Sequence, residues 1–275
     1  MPQPIRLPRP PAKTADQATH NGLVTLPCLS RSLFRGPMSI PFLIPLATAL
    51  MMQAAADDAP DAPTAESPRP VVVELFTSQG CPMCPDANAL LEELGEDEDV
   101  IAIAYGVSYW NMFGWEDRFA KPEFNVRQQD YVAAGEATRV YTPHFVVNGS
   151  PEKLAFRRET IVEAVDAARP LPPLLGLEES AGEITVRLDG PGRETAANVW
   201  MVEYEPGGQV MRIEGGSNAG VDMRHYNMAT GLTRLGEWDG GELTFTFPAP
   251  DEDEGCVVLV QAADGGPVLA AARLD

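Results

Sequence analysis

Two thiols three residues apart, in Cys81-Pro82-Met83-Cys84, are the groups of this chain best spaced to do chemistry. Side chains at i and i+3 share one face at the start of a helix, so the two sulfurs can come within disulfide range. A helix start also leaves unpaired N–H groups, which favour a thiolate over a thiol. The spacing therefore supports thiol–disulfide exchange. Cys81 is expected to be the exposed attacking thiol, and Cys84, one turn in, the resolving one. As an inert staple the pair would close only a tiny loop and stabilise a fold little. Binding of a soft metal is the other chemistry open to it: Cys81, Cys84 and His144 would form a ligand set for Cu(I).

Positioning such a pair takes a strand, a turn and a helix, and the flanking residues supply all three. Val71-Val72-Val73-Glu74-Leu75-Phe76 reads as a strand and Thr77-Ser78-Gln79-Gly80 as a turn. A helix follows from Asp86 to Leu94, with Ala87, Leu90, Leu91 and Leu94 on one face. Pro82 suits a first turn, whereas Pro85 either starts the regular helix or removes one backbone hydrogen bond. Val100–Val107 is nearly all apolar, as a buried parallel strand would be. An insertion from Tyr109 to Val140 carries a helix over Pro122–Ala134, with Pro122 in its first turn. Its aromatic residues Tyr109, Trp110, Phe113, Trp115 and Phe119 would wall a cleft for apolar peptide or pack as a lid on the sheet edge. Thr142-Pro143 stands before a strand over Phe145–Asn148. A proline there can be cis and can hold backbone N–H and C=O groups beside the thiols for a substrate chain. Asn148-Gly149 marks a turn, and a helix follows over Arg158–Ala168.

Beyond Pro170-Leu171-Pro172-Pro173 the periodicity changes to two. Short strands are expected at Glu183–Leu188, Asn198–Glu205, Gln209–Glu214, Leu243–Phe247, Cys256–Ala262 and Val268–Ala271. Glycine-rich turns, Pro206-Gly207-Gly208 among them, separate these runs. The expected organisation is an α/β domain over 71–172 and an all-β, sandwich-like domain over 173–275.

The first 56 residues differ from the rest. Arg6, Arg9, Lys13, Arg31 and Arg35 precede the apolar stretch Ile40–Met52, and Gln53-Ala54-Ala55-Ala56 ends it. That is the layout of a secretory signal peptide, and the stretch is shorter than the ~20 residues that cross a bilayer. The expectation is a leader over 1–56, a linker over 57–70, no membrane span after cleavage and a periplasmic or secreted product. Met1 and Met38 are both possible starts. Cleavage after Ala56 removes Cys28 and leaves Cys81, Cys84 and Cys256, of which Cys256 opens an apolar run as a buried core thiol. A formal charge of −20 argues against nucleic-acid binding, for want of basic groups to neutralise phosphates.

Strand, Cys-x-x-Cys, helix and a later Thr-Pro before a strand resemble the thioredoxin fold. Glu74–Cys81, Tyr109-Trp110-Asn111, Gly114–Asp117, Arg127-Gln128, Tyr141-Thr142-Pro143 and Val146–Gly149 further resemble a family of exported bacterial thioredoxin-like proteins catalogued as a domain of unknown function. Asn218-Ala219-Gly220, Tyr226-Asn227 and Leu235–Gly240 extend the likeness into the second half. The resemblance implies a thioredoxin-like fold with a helical insertion and a cis Pro143, and no activity. The resemblance would also set His144 near the sulfurs, where a protonated ring would stabilise the Cys81 thiolate. For an oxidoreductase, Thr142, Pro143 and Trp110 are the expected substrate-binding residues, protein thiols or a redox partner protein the expected substrate, and no organic cofactor is needed. Glu74 is the nearest counterpart of a proton-accepting acid, although strand alternation can turn it to the other face. Three functions remain open: thiol–disulfide oxidoreductase, copper carrier, or non-enzymatic binding protein.

Overall fold

The alternation in Val71–Phe76 gives both faces of a strand something to bury. In the computed structural model, which describes residues 70–135, 139–151 and 156–274, this run forms β1 (Val71–Thr77), buried throughout. The expected leader, and the expected linker apart from Pro70, lie outside the described residues. Among the described residues no helix is long and apolar enough to cross a membrane.

Val71, Val73 and Leu75 pack with Ala87, Leu90 and Leu91 of α1 (Cys84–Leu94). The helix begins two residues earlier than the sequence predicts. Pro85 then falls in the first turn, where its missing N–H would have had no helical acceptor. β2 (Val100–Gly106) lies parallel to β1, from Val71↔Val100 to Thr77↔Gly106. A 3₁₀ segment, Ser108–Phe113, leads towards α2 (Pro122–Ala134). From α2, Phe124 and Tyr131 pack on the opposite face of β1, against Val72 and Phe76. β3 (His144–Val147) runs antiparallel to β1. It returns through Asn148-Gly149, both at positive φ, into β4 (Ser150–Pro151), as the turn chemistry predicts. α3 (Arg158–Ala167) adds Ile161 to the α1 side.

The later strands are β5 (Leu175–Ser180), β6 (Glu183–Leu188), β7 (Ala197–Arg212), β8 (Asp222–Trp238), β9 (Leu243–Pro248), β10 (Gly255–Ala262) and β11 (Val268–Leu274). They do not all stay behind the expected 172/173 boundary. One eight-stranded sheet crosses it in the order β11-β10-β7-β8-β2-β1-β3-β4, and β8 meets β2 in parallel at Met228↔Ala104. The remaining sheet, β5-β6-β9, packs Leu175, Ile184, Val186, Leu188 and Phe247 onto Val199, Val258 and Val260 of β7 and β10. Two stacked sheets therefore occur, but the larger is shared with the first half of the chain. On β10, Val257 and Leu259 alternate to the α2 side.

Two elements depart from the sequence reading. Pro206-Gly207-Gly208 is not a turn between strands. It is an irregularity within β7, where the register steps from Glu205↔Met228 to Gly208↔Tyr226 and Gly207 takes a φ of 79°. β8 has no counterpart among the expected strands, because its run mixes charged, apolar and glycine positions. Its tip with β7, closed by Gly220 N–H to Ile213 O at 2.7 Å and Ile213 N–H to Val221 O at 2.9 Å, reaches the Cys-x-x-Cys loop.

Candidate functional site

The turn Thr77–Gly80 delivers Cys81 to the start of α1. The Cys81 N–H donates to Ser78 O and the Cys84 N–H to Cys81 O, both at 3.1 Å. Cys81 therefore ends the turn, and Cys84 is the first helical residue. On the far side of the sulfurs, Thr142-Pro143 is a cis peptide, and Cys81 Sγ lies 3.7 Å from Thr142 O. The Trp110 indole N–H donates to Thr142 Oγ1 at 2.7 Å, leaving the threonine's own O–H to turn towards Cys81. Thus Cys81, Cys84, Thr142, Pro143 and Trp110 assemble at one place.

The two thiols are electrostatically unlike. Hydrogen bonding from the Cys84 thiol is the largest influence on Cys81, lowering its pKa from 9.0 to about 6. Burial opposes this, while Thr142 and the backbone groups of Met83 and Cys84 reinforce it. Cys84 is pushed well above the ordinary thiol value, first by burial and then by Cys81 itself. One sulfur is thus a thiolate at neutral pH and its neighbour holds a proton.

Cys81 is not exposed, contrary to expectation: it is 1% accessible and Cys84 is fully buried. The cover comes from both halves of the chain, as Ile213 and Met223 from the β7–β8 tip pack on the sulfurs with Trp110 and Trp115 at the edge. Beside this cover, Met83, Met112 and Phe113 are left exposed.

His144 is displaced from its expected role. Its pairing with Phe76 turns it to the α2 face, against the Phe76 and Tyr141 rings and 3.3 Å from Gln128 Nε2. Burial lowers its pKa to about 4, so it is neutral near pH 7. A neutral ring offers Cys81 no cation. No cluster of three metal-ligating side chains occurs among the described residues. Glu74 also faces α2. It is fully buried, accepts from Arg127 Nε at 2.7 Å and from the Tyr131 hydroxyl, and is unavailable as a proton relay to the sulfurs. Strand alternation puts both residues on that face.

Sequence reading missed the residues that hold the loop. Gln79 is their hub. Its N–H donates to Asp117 Oδ2 at 2.7 Å, its Oε1 accepts from Trp115 Nε1 at 2.8 Å, and its amide meets His225 Nε2 at 3.2 Å. His225 lies in β8. Its Nδ1 faces Met223 O at 3.1 Å, which makes Nδ1 the donor and Nε2 the acceptor from Gln79. Asn218 Nδ2 donates to both Gln79 O and Cys81 O at 2.8 Å. The motif Asn218-Ala219-Gly220 was the one available signal for this contact. Cys256 is buried among the residues packed between the two sheets, away from the pair.

A family model described as "Protein of unknown function (DUF1223)" matches residues 72–261. The chain is also similar to a structural-genomics crystal structure of a protein from Agrobacterium tumefaciens. The two are 29% identical with a TM-score of 0.62, over 74% of this chain and 93% of that one. No curated protein matches.

Proposed function

The chain belongs to the family described as a protein of unknown function (DUF1223), and since that description carries no activity, we propose one from the site: an exported thiol–disulfide oxidoreductase acting on protein thiols. The observation that carries the reading is what converges on Cys81 Sγ: the Cys84 thiol, backbone groups of Met83 and Cys84, and the side chain of Thr142, which precedes a cis proline. A thioredoxin-like core is supported by the order β1, Cys-x-x-Cys, α1, the parallel β1–β2 pair and the antiparallel β3 entered through that proline.

In the proposed reaction, the Cys81 thiolate attacks one sulfur of a substrate disulfide. A Cys81–substrate disulfide forms and the other substrate sulfur leaves as a thiolate, which takes up the Cys84 proton. Cys84 then attacks Cys81 Sγ, closing the Cys81–Cys84 disulfide and releasing the second substrate sulfur as a thiolate. Two electrons pass from the dithiol to the substrate; the reverse sequence oxidises a substrate dithiol. Pro143 and Thr142 line the approach, and the exposed Met83, Met112 and Phe113 offer apolar contact to a peptide. Cys81→Ser is expected to abolish dithiothreitol-driven reduction of insulin disulfides, measured by turbidity. Full activity in that variant would exclude the mechanism. Cys84→Ala should trap the mixed disulfide, visible by mass.

The copper alternative depended on His144 as third ligand, and the ring's contacts with Gln128, Phe76 and Tyr141 give that reading no support.

A further inference from the structure

The inward side of the β7–β8 tip is unlike the rest of it. Between Ile213 and Met223 only Ile213, Asn218 and Met223 are buried, and Glu214, Ser217, Ala219, Gly220, Val221 and Asp222 are exposed. Two of the buried residues lie on the sulfurs and the third grips the loop that carries them. The tip closes its own backbone bonds: besides those between Ile213 and Gly220 or Val221, the Val221 N–H donates to Asn218 O at 2.9 Å. Among the described residues from Ile213 to Met223, the polar hold on the thiol loop is the carboxamide of Asn218, 4% exposed, while Met211 and His225 at the base of the tip meet the Gln79 amide; Gly215 and Gly216 fit closely against Gly114 and Trp115.

We propose that this tip is a cover that determines which substrates reach the dithiol, with Asn218 as the residue that latches it to the thiol loop. This inference rests on the Cys81–Cys84 pair being the reactive site. With the tip closed, Ile213 and Met223 occupy the space that a protein disulfide would need over Cys81. A small reagent needs only a slight opening, whereas a polypeptide substrate must displace the tip, whose apolar underside would then face that substrate. Asn218 reports on the latch because its two donors stabilise the carbonyls of Gln79 and Cys81. An aspartate of the same size would set a carboxylate against those carbonyls and repel them.

The experiment compares alkylation of Cys81 by iodoacetamide and by a polyethylene-glycol maleimide in the reduced full chain, followed by mass on the Cys81 peptide. Each rate is normalised to the same peptide free in solution. In the wild type the bulky reagent is expected to fall at least tenfold further behind its peptide rate than iodoacetamide does. Equal normalised rates would overturn the cover, and this arm needs no variant. Asn218→Ala and Asn218→Asp should both raise the bulky-reagent rate at least tenfold while changing the iodoacetamide rate less than threefold. An Asn218→Asp protein that behaves as wild type would show that the side chain only fills space and would overturn the latch. Failure of the dithiol reading looks different: Cys81 would resist iodoacetamide in folded protein of every form, or Cys81→Ser would keep its insulin-reduction activity.

Discussion

A proton held on Cys84 keeps Cys81 ionised, because the thiol hydrogen bond between them is the largest influence on Cys81. The rate of Cys81 alkylation by iodoacetamide should therefore rise with pH around a midpoint near 6, and Cys84→Ala should move that midpoint up towards 9. A midpoint unchanged by Cys84→Ala would mean that the backbone groups and Thr142 suffice. The same shift has a stability consequence. A group at about 6 when folded and 9.0 when unfolded binds fewer protons in the native state between those values. The contribution of Cys81 to the reduced protein is complete above pH 9 and is lost as pH falls through 6. Urea midpoints of wild type and Cys81→Ala should therefore converge towards pH 6. Cys84, shifted upwards, acts in the opposite sense at higher pH.

At the level of elements, a buried ion pair ties three of them together. Arg127 of α2 donates to Glu74 of β1 at 2.7 Å and to Gln261 of β10 at 3.2 Å, and its other donors reach the Tyr131 hydroxyl at 3.0 Å. Arg127 and Glu74 side chains are 4% and 0% exposed. Removing one partner leaves a charge with neither water nor counter-charge, so Arg127→Ala should cost about 3–5 kcal/mol by chemical denaturation. Replacing both, as Arg127→Met with Glu74→Leu, should restore most of that loss. Because Glu74 faces away from the sulfurs, the alkylation midpoint of Cys81 should stay where it is in the double variant. A shift there would restore Glu74 as a relay.

At the scale of the molecule, the second half of the chain completes both the sheet and the site. β8 covers the edge of β2, and Ile213, Met223 and Asn218 close over Cys81. A fragment of residues 70–172 would expose the unpaired edge of β2 together with the apolar surface beneath β7 and β8. It should show no cooperative thermal transition by circular dichroism, whereas residues 70–275 should show one. Cooperative melting of the fragment, with Cys81 titrating as in the whole protein, would mean that the first half is independent after all.

Short-range physics made much of this protein legible from its residues. Apolar runs mark β1, β2 and β10, Pro122 stands at the start of α2, Asn148-Gly149 turns β3 into β4, and Cys81 and Cys84 meet because they stand three residues apart. Each depends on local sterics or periodicity within a few residues. Tertiary structure alone decided that β8 lies beside β2, that Gly207 carries β7 onward, that Glu74 and His144 face α2, and that Cys81 is covered. Those outcomes rest on pairing and burial between distant segments: Asn218 reaches Cys81 across 137 positions of sequence. No local pattern encodes such a contact, because its energy exists only once water has been excluded from between the two segments.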